Sequence, residues 1–435
     1  MKIKTHFLTT DNPTMNRNRM TFRALWVVLL ALLAVPAQAQ TWNETSDGYE
    51  ATVTRTFTVE PGGSFVIERV VGGISVEAWD QNQVEVQEIL RFDDYSRSEA
   101  EAYLQEHGST FEKSGNAVTV RGPNRQNWRD RVQRSYEVRV PVEFSADVQT
   151  AGGGINVSGL TGTVEVQTSG GGLNLSDITG DLTARTAGGG INLSNIDGQV
   201  DARTSGGGIN VEQVTGRLDV ATSGGGINII GVESDVEART SGGGVYIERV
   251  NGRVEARTAG GDMDIADVTR DVFVQTSGGD IELRGLGGRV SARTSGGDIE
   301  GRDLGGQVMA ETSAGDIDLD DVRGGVEART SVGDISVGVT LQDFSQDYPM
   351  SFETTHGDIE LTLPPNIPAS IDARVRSLGG GWDRDDIYSD FALSRESSRE
   401  GRSGDLRSYG DINGGGPTLR LRTSGGSIRI EKGQQ

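Results

Sequence analysis

Two series of carboxylates recur at a fixed spacing of eighteen residues. One comprises Asp262, Asp280, Asp298, Asp316 and Asp334; the other, two residues further on, comprises Asp264, Glu282, Glu300 and Asp318. Stacked one strand apart, ~4.8 Å, such charges repel by about 0.9 kcal/mol in water and several-fold more at a protein surface. Something must offset that repulsion. Calcium takes about six to eight oxygen ligands in irregular geometry, so Asp262, Asp264, Asp280, Glu282, Asp298, Glu300, Asp316 and Asp318 are candidate metal ligands. Pairing with a column of cations, Arg239, Arg257, Arg293 and Arg329, is a second answer, and screening by salt a third. The pattern is not the nonapeptide repeat that binds calcium. No other cofactor is indicated.

The same two positions read differently in the earlier repeats. There the first is Gly154, Gly172, Gly190, Gly208, Gly226 and Gly244, and the second is Asn156, Asn174, Asn192, Asn210 and Asn228. The change from Gly-x-Asn to Asp-x-acid falls at Tyr246. A functional face is therefore expected on the acidic second half.

Chemistry of other kinds finds little support. His6, His107 and His356 are isolated, and there is no cysteine to act as a nucleophile, bind zinc or form disulfides. The repeats run without inserted loops from residue 150 to 340, so nothing builds a pocket around a reacting bond. A polysaccharide-processing β-helix enzyme is thus the rival reading to a non-enzymatic one. A net charge of −22 excludes a nucleic-acid partner, whose phosphates need a basic face.

The elements that must position these columns follow from a signature, Thr-Ser/Ala-x-Gly-Gly/Asp. It begins at Thr150 and returns at Thr168, Thr186, Thr204, Thr222, Thr240, Thr258, Thr276, Thr294, Thr312 and Thr330. Between signatures the apolar residues alternate, as at Ile227, Ile229, Val236 and Ala238, which is the period of a strand. Glycines such as Gly224-Gly225-Gly226 mark corners, and a second series (Gly162, Gly180, Gly198, Gly216) marks another bend. A unit this short buries its apolar side only by stacking on its neighbours. The expected fold is all-β: a parallel β-solenoid, or β-helix, with eighteen residues per coil. A propeller blade needs about forty residues or more. The threonines share parity with the buried positions, which predicts hydroxyls at the inner edge of the corner, bonded to backbone or to each other.

The flanks lack the strict period. Arg17, Arg19 and Arg23 precede a twelve-residue apolar run and Pro36-Ala37-Gln38-Ala39, which reads as a signal peptide over residues 1–39, cleaved between Ala39 and Gln40. Twelve residues are too few to span a bilayer, which takes about twenty, and no later segment is apolar enough. The mature chain is expected to be exported: periplasmic, held to the envelope, or secreted. Residues 40–149 form a β-rich N-terminal cap with strands near 49–59, 63–78, 84–92, 117–121 and 135–141. It carries one short helix over 96–106 with Ser96 or Ser98 as N-cap, placed as a plug or a flank. Residues 150–340 are the solenoid. Residues 341–435 continue it into a β-rich C-terminal cap, with a polar, mobile loop near 377–410 and a last coil over 417–430.

Several further motifs resemble the bacterial putative-adhesin family of β-strand repeat proteins. They are Val70-Val71-Gly72-Gly73-Ile74-Ser75-Val76 with Trp79-Asp80, Val140-Pro141 before the first signature, Gly357-Asp358-Ile359-Glu360-Leu361-Thr362-Leu363-Pro364, and Ile412-Asn413-Gly414-Gly415-Gly416-Pro417. The resemblance covers nearly the whole mature chain and implies an exported solenoid; it brings no functional residues with it. The function expected is that of a rigid binding or adhesion-type rod, with an envelope polysaccharide or a protein as partner. A purely structural spacer is the remaining alternative.

Overall fold

The structure, a computed structural model, describes residues 37–123, 132–345, 348–377, 386–400 and 403–433. The signal-peptide reading falls mostly outside them. Its cleavage residues Ala39 and Gln40 lie in the first strand, β1 (Ala37–Thr45), which pairs antiparallel with β2 (Gly48–Thr58).

Each repeat contributes two short strands, one to each of two parallel sheets. In the coil after Thr222 these are Ile227–Val232 and Val236–Arg239. Every strand pairs with its counterpart one coil on: Ile227 faces Val245 and Val236 faces Val254. The core lies between the sheets, where Ile227, Ile229, Val232, Val236 and Ala238 are buried. A slip of one residue would turn this whole set outward, so the apolar alternation pins the register. The fold is the expected β-solenoid of eighteen-residue coils.

Two features of the corner explain the signature. The threonines from Thr150 to Thr330, then Thr354 and Thr423, are all buried. Each hydroxyl donates to a glycine carbonyl in the coil before, as from Thr222 to Gly207 at 2.7 Å and from Thr240 to Gly225 at 2.8 Å. The fourth signature position tolerates only glycine: a Cβ on Gly225 would sit 2.1 Å from the Gly207 carbonyl oxygen. Its neighbour Gly224 would clear the nearest atom by 3.4 Å. That third position accordingly accepts Ala314, Val332 and His356.

A further column was not read from the sequence. Gly159, Asp177, Asn195, Gln213, Gly231, Arg249, Asp267, Gly285, Asp303 and Asp321 share a left-handed φ of 54–78° at the bend inside the first strand. Glycine, asparagine and aspartate enter that region most readily, which accounts for most of the column.

The N-terminal cap contains β3 (Gly63–Val70), β4 (Gly73–Trp79) and β5 (Gln83–Asp93), followed by α1 (Arg97–His107). Then come β6 (Thr110–Ser114), β7 (Ala117–Arg121), β8 (Val132–Pro141), β9 (Phe144–Thr150) and β10 (Ile155–Ser158). The single run expected over 63–78 is two strands, broken by positive φ at Arg69 and Gly72. A Cβ at Gly72 would fall 1.8 Å from the Arg134 carbonyl oxygen, so the corner needs glycine. The helix is capped by Ser96, with Glu99 completing a capping box. It is a flank: Ala100 packs with Ala51, Leu90 and Phe92 on the part of the cap sheet that projects past the solenoid core.

Both ends of the solenoid stack out of sequence order. Strands β3 and β4 lie against β9 and β10, while β7 and β8, though later in sequence, occupy the outer side of β3 and β4. At the other end, Thr418–Thr423 and Ile428–Lys432 slot between the coil containing Met350–Glu353 and Ile359–Leu363 and the one containing Ala369–Ser377 and Ile387–Ser389. The coil over 417–430 is thus last in sequence but not outermost. Its Leu419, Leu421, Ile428 and Ile430 are all fully buried, as suits a coil paired on both edges.

The mobile loop expected near 377–410 is largely strand instead. Ser403–Ile412 pairs antiparallel with Ala369–Ser377, and Ser394–Glu400 pairs with Ser403–Ile412; residues 378–385 and 401–402 lie outside the described residues. Among the described residues of the outer hairpin, Leu406, Ser408 and Ile412 are the buried residues other than glycine, so its sequence stays polar while its strands are paired.

Candidate functional site

The two outward columns meet at a shallow groove of about 690 Å³ on the first sheet, lined by Gly226, Gly244, Asn228, Tyr246, Asp262, Asp264, Asp280, Glu282 and Glu300 among others. Glycines at 208, 226 and 244 leave the sheet surface bare, and the following acids close the trough. The site therefore sits at the change of pattern around Tyr246.

Its amide side is a ladder that stops. Asn174, Asn192 and Asn210 each donate to the asparagine one coil earlier at 2.8 Å. Asn228, the next rung, has no side-chain partner among the described residues, and its strand neighbour is Tyr246. The Asn228 amide at the groove is free to bond a ligand, whereas Asn174 and Asn192 both donate and accept within the ladder. The Tyr246 hydroxyl donates to the Glu248 carboxylate, which anchors the ring. That bond raises the phenol's pKa, with smaller contributions from burial and from Glu248 and Asp264.

The acidic columns are placed as the sequence predicts, side by side along one sheet. Asp264, Glu282, Glu300 and Asp318 are strand partners in succession. The aspartates of the other column have a structural use. Each Oδ1 accepts the backbone N–H of the next: Asp262 from Asp280 at 3.1 Å, Asp280 from Asp298 at 2.9 Å, Asp298 from Asp316 at 2.8 Å and Asp316 from Asp334 at 2.7 Å. The series continues through Asp334, which accepts from Asp358 at 2.7 Å. Among the described residues, no three Asp, Glu or His side chains converge as metal ligands.

The arginine column proposed as counter-charge lies elsewhere. Arg239, Arg257 and Arg329 pair with Glu237, Glu255 and Glu327, and Arg293 pairs with Glu311 at 3.0 Å, all on the second sheet. They stand just before the corner, in the strand on the other side of the core. The cation that does serve the groove is Arg284, which binds Asp264 at 2.7 Å and also Glu282. It lies two positions beyond Glu282 on the same face of the strand, a spacing that period-two reading could have found.

Residues 245–431 match the family model Toastrack DUF4097. That segment is similar to the Toastrack family. The Toastrack segment opens at Val245, beside the groove's tyrosine, and runs through the acidic coils to the C-terminal cap. The resemblance to adhesin-type repeat proteins drawn from the sequence stands. Solved structures similar to the chain include a putative adhesin from Bacteroides fragilis, at 11% identity over 65% of this chain and 96% of that chain, with a TM-score of 0.27. A putative adhesin from Parabacteroides distasonis is similar at 12% identity over 66% and 95%, with a TM-score of 0.20. A putative cell adhesion protein from Clostridium sporogenes is similar at 7% identity over 92% and 100%, with a TM-score of 0.17. No curated protein matches the chain. No helix among the described residues is long and apolar enough to cross a membrane.

Proposed function

We propose that this chain is an exported, non-enzymatic rod of the cell envelope that holds an extended polysaccharide along its first sheet, centred on the Tyr246 groove. The observation that carries this reading is the conjunction at one place of an anchored aromatic ring, an unbonded amide at Asn228 and a row of outward carboxylates. An aromatic face receives the apolar face of a sugar, and amides and carboxylates bond its hydroxyls. The rungs, ~4.8 Å apart, give a linear polymer a similar set of groups at each coil. A row of acids in a chain of charge −22 repels uronates and phosphate polymers, so the polymer is uncharged or bears amines.

The geometry favours binding over cleavage. Glycosidic hydrolysis needs two carboxyl groups on either side of the scissile bond. Here Asp264, Glu282 and Glu300 all rise from one flat face, so none stands across a sugar from another. Export rests on the Arg-rich, apolar leader and its Ala-Gln-Ala site before Gln40.

A glycan array probed with the full-length protein, then with Y246A and N228A, tests the reading. Binding to neutral or amino glycans should fall at least about tenfold in Y246A, a loss of ~1.4 kcal/mol, with melting temperature unchanged. Undiminished binding in both variants, or turnover of the bound glycan, would overturn it.

A further inference from the structure

A second cavity, of about 580 Å³, lies in the N-terminal cap between α1 and the strands that carry Trp42, Arg55 and Phe111. Trp42, Leu104 and Phe111 give it apolar walls, and Arg55, Glu88 and Glu101 bring charge to it. Most of that charge is already matched. Glu88, only 1% exposed, binds Arg134 at 3.0 Å and accepts from the Ser109 hydroxyl at 2.7 Å and the Ser109 N–H at 3.2 Å. Arg134 also donates to the His107 carbonyl at 2.7 Å, which holds the end of the helix to the sheet. Glu101 is held by Arg97 at 2.7 Å.

Arg55 is left over. Among the described residues its partners are the Thr54 carbonyl at 3.2 Å and the ring of Phe111, 5.4 Å from the guanidinium. Among the described residues no carboxylate pairs with it. Partial burial lowers its pKa despite the nearby Glu88, yet a guanidinium stays charged at any ordinary pH. A cationic fork thus opens into a cavity with aromatic walls, in a chain whose net charge has the opposite sign.

We propose that this cavity binds a small organic monoanion, a carboxylate on an aromatic or aliphatic body. The guanidinium takes the two carboxylate oxygens in a fork-to-fork pair, and the body lies against Phe111, Trp42 and Leu104. Glu88 and Glu101 set the limit at one negative charge, because a dianion would meet both. An amine is excluded by Arg55 itself.

Benzoate, benzamide and benzylamine are isosteric probes of opposite prediction. Titrated into the full-length protein and followed by saturation-transfer NMR, benzoate should bind saturably and about tenfold or more tightly than benzamide, as a charge-assisted pair requires. Benzylamine should not bind. R55Q should bring benzoate down to benzamide, and R55K should retain part of the preference. L104W, which fills the cavity, gives an independent reading should R55Q lower the melting temperature, and should abolish binding. Equal binding of benzoate and benzamide, no saturable benzoate binding, or benzoate binding unchanged in R55Q and L104W would each overturn the proposal.

Discussion

At the scale of single residues, the corner is governed by clearance. A methyl group on Gly225 has nowhere to go but into the Gly207 carbonyl, whereas one on Gly224 comes no nearer than 3.4 Å to its closest neighbour, an ordinary van der Waals contact. G225A should therefore cost at least about 1–3 kcal/mol in urea unfolding, and G224A less than about 0.5 kcal/mol. Equal effects would mean that the corner is not packed as described. The buried phenol of Tyr136 gives a second reading. Its pKa is pushed up to about 12, mainly by burial and by the Glu88 charge, with Arg134 and Ser109 acting against them. A folded-state pKa above the unfolded value near ~10 favours the neutral phenol, so its contribution is complete below about pH 10 and lost as the pH rises towards 12. Alkaline unfolding should steepen in that window. In Y136F the steepening should vanish, although the variant is less stable at pH 7; a pH profile parallel to wild type would contradict this. The invariant glycine was legible from the sequence because its rule holds in every coil. The Glu88–Arg134 pair was not, since a lone glutamate in an alternating strand gives no sign of the arginine that returns to it 46 positions later in β8.

At the scale of elements, backbone N–H groups and one arginine face the acidic columns from within the chain. Each aspartate of the column from Asp262 to Asp334 accepts the N–H of the next coil, and Arg284 ties Asp264 to Glu282. D298A should cost about 1 kcal/mol by stripping the Asp316 N–H of its acceptor, and D298N should cost less, because an amide oxygen still accepts. Millimolar calcium should move the melting temperature no further than magnesium does; a calcium-specific rise would instead favour the metal reading of these columns. The elements differed in how plainly they could be read. The helix announces itself through Ser96 and Glu99, three residues apart. The outer hairpin strands Ser394–Glu400 and Ser403–Ile412 do not: their exposed face fills the sequence with Ser, Arg, Asp and Glu, so composition speaks for a loop while the backbone of these strands is paired. Nor did the break between β3 and β4, where one glycine inside an apolar run decides between a strand and a corner.

At the scale of the whole repeat unit, neither end stacks its coils in the order of the chain. Periodicity cannot show this, because it records which residues are equivalent and not which coil lies outermost. At one end β6 and β5, antiparallel to β7 and β8, and at the other the polar hairpin, antiparallel to Ala369–Ser377, cover strands that would otherwise expose a parallel edge. Between those ends each coil contacts only its neighbours, so stability should be a sum of nearly equal terms and whole coils should be removable. That property gives the most direct test of the central claim, a modular solenoid with its recognition face at Tyr246. Two deletions of eighteen residues are compared by melting and by glycan binding, one removing residues 240–257 with Tyr246, the other removing residues 186–203. Both should fold with closely similar melting temperatures; only the first should lose the glycan. Unfolding of both, or equal binding by both, would contradict the account.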